Sequence, residues 1–523
     1  MKSQTVLGVD SSTSATKVIA FDPTGKPVAE GAKGYPLYQD NPGWVEQDPE
    51  DWWEAFKTGC RQVVSHGDVD VGKILGLGLT HQRFTFVPMD DSMKPLRRAI
   101  LWNDIRCSRE ADYARQALGK EHIFERTGYP PGQWTLYKVL WLKNNEPEVY
   151  EKMYKIVLVQ DYLIYKLTGN LVTLQGAGTM TGALDIVHPE RWAMDVIESL
   201  GVKPEAWIEN ILPGGSVAGY VTGKAAQETG LPEGLPVVTG AGDQPCGILG
   251  AGVTQPGQLG INGGTSCTNE LVSRGVPERK EINYFIEISP SGDYIVENYI
   301  PSGGSALMNW YKSNFGYYEV HEAEKRNRNI WEIIYSQAAE SPVGNRGMMV
   351  IPYFQGANAP YWDLTARGMI FGLHTEYGRP HFVRALMEGL AYESRRQVEL
   401  MEQGTDTRVE EIKMYGGSAR SDIWNQIFTD VLKKPLHVPK TAETTALGAA
   451  ISAAVACGMY DDFKKAVDAM VSIKKTYHPI PENVRRYDRF YTGVYRTFYD
   501  QVQEFMHRIA EINDDEETPG ANR

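Results

Sequence analysis

The sequence predicts an α/β protein whose two halves are copies of one unit, facing each other across a cleft. Three observations predict it. A chain of 523 residues is long enough for two large domains, one short segment occurs twice, and several short apolar strands end in polar residues. The repeated pattern is G-[VI]-[DN]-x-[SG]-T-S, at residues 8–14 and 260–266. A cleft between similar halves is a common place for a ligand.

Each copy of the pattern is expected to form the tip of a β-hairpin. Strand-like, largely apolar segments at residues 6–9 and 17–21 flank the first copy, and similar segments at 258–261 and 270–272 flank the second. Small residues let backbone N–H groups approach an anion, and Ser or Thr hydroxyls add donors. Plain turn chemistry explains either tip taken alone, but the pair favours a phosphate site.

Three further segments are expected to be strands that carry ligand-binding residues at their ends: residues 74–79, 96–104 and 235–238. The last of them runs into a Gly-rich turn that holds Asp243. A narrow turn that exposes one carboxylate is what a catalytic base needs. The alternative is that Asp243 caps the helix that begins near Pro245.

Composition and charge exclude several classes of protein. Hydrophobic residues make up 42% and charged residues 23%, as in folded chains, while the net charge of −13 is unfavourable for nucleic acid or an anionic membrane. The N-terminus has no stretch typical of a signal peptide, and the apolar run at 446–459 is too short to span a bilayer, so a buried helix is expected there. Five scattered cysteines favour a reducing cytoplasm. We therefore expect a cytoplasmic protein without nucleic-acid or membrane partners.

The C-terminal half adds longer motifs. They are G-M-I-F-G-L at 368–373, H-F-V-R-A-L-M-E-G at 381–389, G-G-S-A-R-S-D-I-W-N-Q at 416–426 and E-T-T-A-L-G-A-A at 443–450. With the repeated turns and the Asp243 segment, they resemble the FGGY family of carbohydrate kinases, relatives of actin, hexokinase and the Hsp70 ATPase. The resemblance covers nearly the whole chain.

The resemblance implies two actin-like, ribonuclease H-like ATPase domains with an interdomain cleft. The N-terminal, sugar-binding domain would span residues 1–254 and the C-terminal, nucleotide-binding domain residues 255–475. Residues 476–523 would form a C-terminal helix and an acidic tail. Aromatic residues at about helical spacing predict one amphipathic helix over 485–512, whose core-facing positions would be Tyr487, Phe490, Tyr491, Val494, Tyr495 and Phe498.

The resemblance also implies a role for each candidate residue toward ATP and Mg²⁺. Asp243 would be the general base, and Asp10 would lie near the Mg²⁺ of the nucleotide. The implied contacts with ATP are Thr13, Ser14, Lys17, Gly264, Thr265, Gly304, Asn309, Gly416 and Gly417. For Lys17, a solvated surface lysine is an equal alternative.

The implied sugar pocket has mixed character. Its hydroxyl ligands would be Gln82, Arg83, Asp104 and Gln244, with Trp102 or Trp134 as an apolar wall. Gln82-Arg83 and Gly242-Asp243-Gln244 are similar to glycerol kinases, whereas the W-N-D-x-R segment from Trp102 is similar to xylulose kinases. The expected function is ATP-dependent phosphorylation of a small sugar, with a ketopentose such as xylulose as first choice. The alternatives are a kinase for glycerol, another polyol or a small diol, and a non-catalytic actin-like nucleotide switch; a homodimer is left open.

Overall fold

The computed structural model describes residues 3–301 and 303–517. The acidic residues 514–517 of the expected tail are helical, and the last residues, 518–523, lie outside the described part. Within the described residues the chain forms two compact units. The first comprises residues up to 255 together with 272–296 and 441–472, and the second comprises the rest. This division differs from continuous domains at 1–254 and 255–475, because two later segments pack into the first unit.

The elements follow in chain order. Up to residue 255 the strands are β1 (Thr5–Ser11), β2 (Ala15–Phe21), β3 (Pro27–Gly34), β4 (Glu46–Gln47), β5 (Ile74–His81), β6 (Phe86–Met89), β7 (Ala99–Ile100), β8 (Lys155–Leu158), β9 (Thr173–Leu174), β10 (Ile211–Leu212), β11 (Val217–Tyr220) and β12 (Pro236–Gly242). The helices are α1 (Pro49–Val64), α2 (Ser108–Leu118), α3 (Lys120–Thr127), α4 (Thr135–Asn145), α5 (Pro147–Lys152), α6 (Val159–Thr168), α7 (Gln175–Thr179), α8 (Met194–Ser199), α9 (Gly223–Thr229) and α10 (Asp243–Gly250).

After residue 255 the strands are β13 (Gln258–Gly263), β14 (Cys267–Val272), β15 (Phe285–Ile288), β16 (Tyr294–Ile300), β17 (Met349–Ile351), β18 (Met369–Phe371), β19 (Glu411–Tyr415), β20 (Leu436–Pro439) and β21 (Ile473–Tyr477). The helices are α11 (Ser305–Phe315), α12 (Tyr317–Arg326), α13 (Ile330–Ala338), α14 (Arg379–Thr405), α15 (Asp422–Leu432), α16 (Thr444–Ala456), α17 (Phe463–Met470), α18 (Pro481–Phe490) and α19 (Arg496–Glu517).

The first unit is built on a sheet with strand order β11-β12-β5-β1-β2-β3. β1 pairs antiparallel with β2, as the hairpin prediction required, and parallel with β5. Helices α1 and α16 pack on strands of this sheet, and the side chains of Val6, Leu7 and Val9 in β1 are fully buried. A near-continuous apolar run is what a strand covered on both faces needs. Residues 96–104, expected as a strand, contribute only the short β7.

Helix α16, the buried helix expected at 446–459, lies against the backbone of this sheet. A Cβ atom on Gly8 would lie 1.9 Å from the Ala446 carbonyl oxygen, and one on Gly78 would lie 1.9 Å from the Ala449 carbonyl oxygen. Glycine at these two strand positions therefore allows the close approach that brings residues 441–472 into the first unit.

The second unit repeats the central arrangement of the first. Strand β13 pairs antiparallel with β14, confirming the second hairpin, and parallel with β19. β19 continues to β20 in parallel, and β21 adds antiparallel to β20. The long helix α14 is largely buried and packs against α13, α15 and β17.

Tyrosine side chains pack the C-terminal segment against this unit, but the buried positions have a spacing different from the expected one. A π-helical turn at Tyr491–Tyr495 joins α18 to α19. The wider turn keeps positions four apart on one face, so the buried side chains are Tyr487, Tyr491, Tyr495 and Tyr499. The expectation for Val494 is wrong, since it is 38% exposed, and Phe490 and Phe498 are only partly buried.

Among residues 3–301 and 303–517, the structure contains no helix with the length and apolar character that crossing a membrane requires.

Candidate active site

The first hairpin is held by side chains from outside it. The Gln47 side-chain amide donates to the Thr13 carbonyl oxygen at 2.6 Å, and the Trp102 indole N–H donates to the Thr13 hydroxyl at 2.9 Å. Inside the turn, the backbone N–H and hydroxyl of Ser12 both donate to the Ala15 carbonyl at 3.0 Å. The Ser14 side chain is exposed. The tip is therefore fixed, with hydroxyl donors at its surface.

Acidic groups surround the base of this hairpin. The Lys17 ammonium lies 2.8 Å from a Glu443 carboxylate oxygen and 3.6 Å from Glu30. Burial lowers the pKa of Lys17 while the hydrogen bond to Glu443 raises it, and the net change is upward. The Lys17 side chain is therefore paired with two carboxylates at the base of the hairpin and keeps 31% of its surface exposed.

Asp10 has the surroundings of a cation ligand. Burial and the nearby negative charge of Asp243 raise the pKa of Asp10 to about 7, against the influence of Lys17. Its Oδ1 atom is buried and has no hydrogen-bond partner among the described residues. A hard oxygen ligand that the protein leaves unsatisfied fits Mg²⁺, which prefers carboxylate oxygens and water.

Asp243 is the first residue of α10, directly after strand β12. Its side chain is 32% exposed, and its Oδ1 atom lies 3.3 Å from Arg83 Nε and accepts from the Gln244 backbone N–H at 2.9 Å. Burial raises the pKa of Asp243, and the charge of Arg83 opposes that rise. Gly242 occupies the N-cap position of α10, so the Gln244 contact is a local one within the first turn and not a helix cap, and it leaves the carboxylate accessible.

The expected sugar ligands differ in their exposure. Trp102 is 44% exposed, and Arg83 keeps 13% of its side chain exposed. Gln82 is buried and donates to the Gln47 side-chain oxygen at 2.7 Å. Asp104 is fully buried, and its carboxylate accepts from the Val45 backbone N–H and from the Arg106 guanidinium. Gln244 is partly buried, next to Asp243.

The pocket loops are also held by residues that sequence reasoning missed. The fully buried Lys138 donates to the Leu101 carbonyl at 2.6 Å and the Phe84 carbonyl at 3.4 Å, and burial lowers its pKa to about 8. A lysine inside the apolar run of α4 was a visible signal. Glu287 forms an ion pair with Arg83 at 2.6 Å. Neither Glu287 nor Gln47 lies in a local sequence pattern that would indicate its contact.

The second unit brings its own candidates together around the β13–β14 turn. The Gly304 N–H donates to the Thr265 carbonyl at 3.1 Å, and the Ser305 N–H donates to the Gly264 carbonyl at 2.7 Å. A Cβ on Gly304 would lie 2.0 Å from the Gly264 oxygen, so only glycine fits there. Thr265 is exposed at the tip.

The Gly416-Gly417 turn reaches the same hairpin from β19. Gly416 has a left-handed backbone (φ +82°), and a Cβ on it would lie 2.6 Å from Asn262 Oδ1. The neighbouring Ser418 hydroxyl donates to the Gly263 carbonyl at 3.0 Å. Asn309 lies on α11 with its side chain exposed. Gly264, Thr265, Gly304 and Gly416 thus share one cluster of turns.

Comparison with known proteins shows the family of this chain. A family model described as "FGGY family of carbohydrate kinases, N-terminal domain" matches residues 5–250, and the model of the corresponding C-terminal domain matches residues 253–457. The chain belongs to the FGGY family of carbohydrate kinases. The predicted fold class, with two actin-like domains, is confirmed.

Full-length relatives of this FGGY kinase include enzymes with different named substrates. It is 30% identical over 516 residues to a xylulose kinase of Staphylococcus epidermidis, covering 98% of this chain and 100% of the relative. It is 29% identical over 498 residues to glycerol kinase 2 of Thermotoga maritima, covering 93% and 96%. The crystal structure of xylulose kinase from Rhodospirillum rubrum matches with a TM-score of 0.87 at 27% identity, over 96% of this chain and 100% of that one.

Membership in the FGGY family makes this chain a phosphotransferase that acts on an alcohol group of a carbohydrate. The family therefore favours catalysis over the alternative of a non-catalytic nucleotide switch. Among the segments that carry the resemblance, residues 8–14 and 260–266 form the two hairpin turns, and residues 416–426 include the Gly416 turn.

Proposed function

We propose that this FGGY kinase transfers the γ-phosphoryl group of ATP to a hydroxyl of a small neutral sugar, with a ketopentose such as xylulose as the first candidate. Xylulose kinases among the full-length relatives support this choice. The proposal includes a cytoplasmic location and a small-molecule sugar as the binding partner. A homodimer is left open.

The position of Asp243 supports the proposal most directly. Its carboxylate stands at the end of a buried strand, is accessible, and is flanked by Arg83. In the proposed reaction the sugar hydroxyl oxygen bonds to the γ-phosphorus, the bond from that phosphorus to the bridging oxygen of ADP breaks, and the hydroxyl proton passes to Asp243. Phosphoryl transfer needs little covalent help, so positioning is the main task of these side chains.

The hairpin residues would bind the phosphates. Thr13 and Ser14 offer hydroxyl donors on the first unit, and Gly264 and Thr265 offer an exposed turn on the second. Gly304, Asn309, Gly416 and Gly417 would bind the adenosine. Asp10 would hold Mg²⁺, which would neutralise charge on the phosphate oxygens. Lys17 would act through its ion pair with Glu443, by fixing the base of the hairpin.

In the sugar pocket, Arg83 and Gln244 would donate to hydroxyls and Trp102 would cover an apolar face of the sugar. Gln82 would contribute its buried side-chain oxygen, which has no partner within the described part of the chain. Asp104 is better suited to positioning than to binding substrate, because Val45 and Arg106 already occupy its carboxylate.

The test is an ADP-release screen over D-xylulose, D-ribulose, aldoses, glycerol and small diols with purified protein. We expect xylulose or another ketopentose to give the highest kcat/KM. Asp243→Asn should abolish sugar-dependent ADP release and leave ATP affinity within a few-fold, whereas Asp68→Asn, on an exposed loop of the same unit, should leave turnover unchanged. Turnover retained by Asp243→Asn would remove Asp243 from its role.

Glycerol or another polyol is the second candidate. The observation that favours it is the Arg83–Asp243 contact, formed by the two segments that are similar to glycerol kinases. Higher kcat/KM for glycerol than for every ketopentose in the same screen would replace the first candidate with this one.

A further inference from the structure

Arg83 lies between two carboxylates, only one of which belongs to the catalytic turn. Its Nε lies 3.3 Å from Asp243, and its Nη1 donates to Glu287 Oε1 at 2.6 Å. Arg83 is mostly buried, and Glu287 is completely buried. A guanidinium held at both edges has a fixed orientation, which a lysine could not reproduce.

Glu287 reaches this place from strand β15, far along the chain from the other pocket residues. The Tyr129 hydroxyl also donates to its Oε1 atom, and the Tyr129 ring stacks on Phe285 of the same strand at 5.0 Å between ring centroids. No motif used to identify the family contains Glu287. A buried carboxylate with these partners is anchored, so it can hold Arg83 in place rather than follow it.

The three charged groups sum to one positive and two negative charges. Arg83 therefore retains little attraction for an anionic substrate, whereas donation from a guanidinium N–H to an uncharged hydroxyl oxygen does not depend on a net positive charge. A sugar acid that used Arg83 as its carboxylate partner would have to compete with Glu287 and approach Asp243. A neutral ketose or polyol meets neither obstacle.

We propose that Glu287 is a positioning residue that holds Arg83 as a donor to neutral sugars and makes the site reject sugar acids. This inference rests on the proposed function and adds the substrate class and the residue that sets it. Glu287 acts through Arg83 and touches no reacting atom.

Two variants separate charge from length. Glu287→Gln keeps the length but removes the charge, so kcat/KM for the preferred neutral sugar should fall about tenfold, mainly through KM. The ratio of kcat/KM for an aldonate such as gluconate to that for the neutral sugar should rise about tenfold or more. Glu287→Asp keeps the charge but is too short to reach Arg83, so neutral-sugar kcat/KM should fall while that ratio stays within about twofold.

Glu110→Gln is the matched control, since Glu110 is a buried glutamate of the same unit that pairs with Asn144 away from Arg83. It should leave the ratio unchanged, and KM for ATP should stay within about twofold in every variant. If Glu287→Gln does not fold, Tyr129→Phe, which removes only the hydroxyl donor to Glu287, should lower neutral-sugar kcat/KM about threefold. No change in Tyr129→Phe would then overturn the proposal.

The outcomes that oppose the inference differ from those that oppose the function. The role of Glu287 is overturned if Glu287→Gln and the unaltered enzyme have the same ratio of kcat/KM for the aldonate to kcat/KM for the neutral sugar. It is also overturned if the unaltered enzyme prefers the aldonate. Either result leaves the kinase activity intact. An enzyme that releases ADP with none of the sugars overturns the proposed function, and the inference with it.

Discussion

Asp161 is a buried carboxylate outside the active site, at the start of α6. It accepts from the Leu158 backbone N–H at 3.0 Å, and its Oδ1 atom has no partner in the described residues. Burial raises the pKa of Asp161 to about 7 from its ordinary 3.8. The folded protein therefore takes up a proton here at a pH where the unfolded chain does not.

This shift predicts a pH-dependent loss of stability. The contribution of Asp161 is fully present below about pH 4 and is lost as the pH rises through about 7. Asp161→Asn keeps an oxygen that accepts from the Leu158 N–H and removes the titrating group. The Tm of this variant minus the Tm of the unaltered protein should therefore be a few degrees larger at pH 8 than at pH 5.5. Thermal unfolding at both values measures this, and a pH-independent difference would contradict it.

At the scale of single residues, the sequence is informative where a candidate residue lies in a local pattern. Asp10, Thr13 and Asp243 stand at strand ends beside small residues, and the structure places them there. Glu287 and Gln47 could not be found in this way, because each acts through a contact with a residue distant in the chain. Asp104 is the opposite case. Its motif is visible in the sequence, but the burial of its side chain depends on tertiary contacts and could not be predicted from that motif.

The contact between α16 and the first sheet makes a prediction for a whole element. Alanine at a strand glycine ordinarily restricts the unfolded chain and stabilises the fold. At Gly78 the new Cβ would lie 1.9 Å from the Ala449 carbonyl oxygen, so helix and strand must separate. Gly78→Ala should therefore lower the unfolding free energy by about 1–3 kcal/mol or more.

Gly67→Ala is the control, because a Cβ there meets nothing within 4 Å. It should change the unfolding free energy by no more than about 0.5 kcal/mol. Differential scanning calorimetry compares the two variants, and equal Tm values would contradict the close-contact explanation.

Among the elements, both hairpins and the buried α16 follow from apolar patterning, and the structure confirms them. The C-terminal helix was also expected, but its buried face was not. A helical period of 3.6 residues predicts that Phe490 and Val494 are buried, whereas the π-helical turn leads to burial of Tyr499. Hydrogen bonds from tyrosine hydroxyls to Glu399 and Glu393 lie on this face, and the sequence alone does not show them.

The interleaved path of the chain makes a prediction for the whole molecule. Helix α16 buries Ala446, Leu447 and Ile451 against Val6 and Ile19 of the first sheet, in one apolar cluster. A fragment ending at residue 254 would lack this helix and expose that face. We expect residues 1–254 expressed alone to be insoluble, and co-expression with residues 255–523 to recover soluble protein.

A soluble fragment 1–254 that unfolds cooperatively would contradict this prediction. The two-domain fold class itself could be predicted, because the repeated turns and long motifs are properties of the sequence. The return of residues 272–296 and 441–472 to the first unit could not, since it depends on backbone contacts made through glycines.

The hydrogen bonds from Gln82 to Gln47 and from Gln47 to Thr13 have a practical consequence for laboratory evolution. A side chain at position 82 that cannot donate leaves the Gln47 side-chain oxygen to the Trp52 indole N–H, and the amide nitrogen of the same Gln47 side chain donates to the Thr13 carbonyl in the turn of the first hairpin. Libraries that seek altered sugar preference should randomise positions 47 and 82 jointly, because a single-site library at 82 will lose variants whose only fault is the changed hydrogen bond to Gln47.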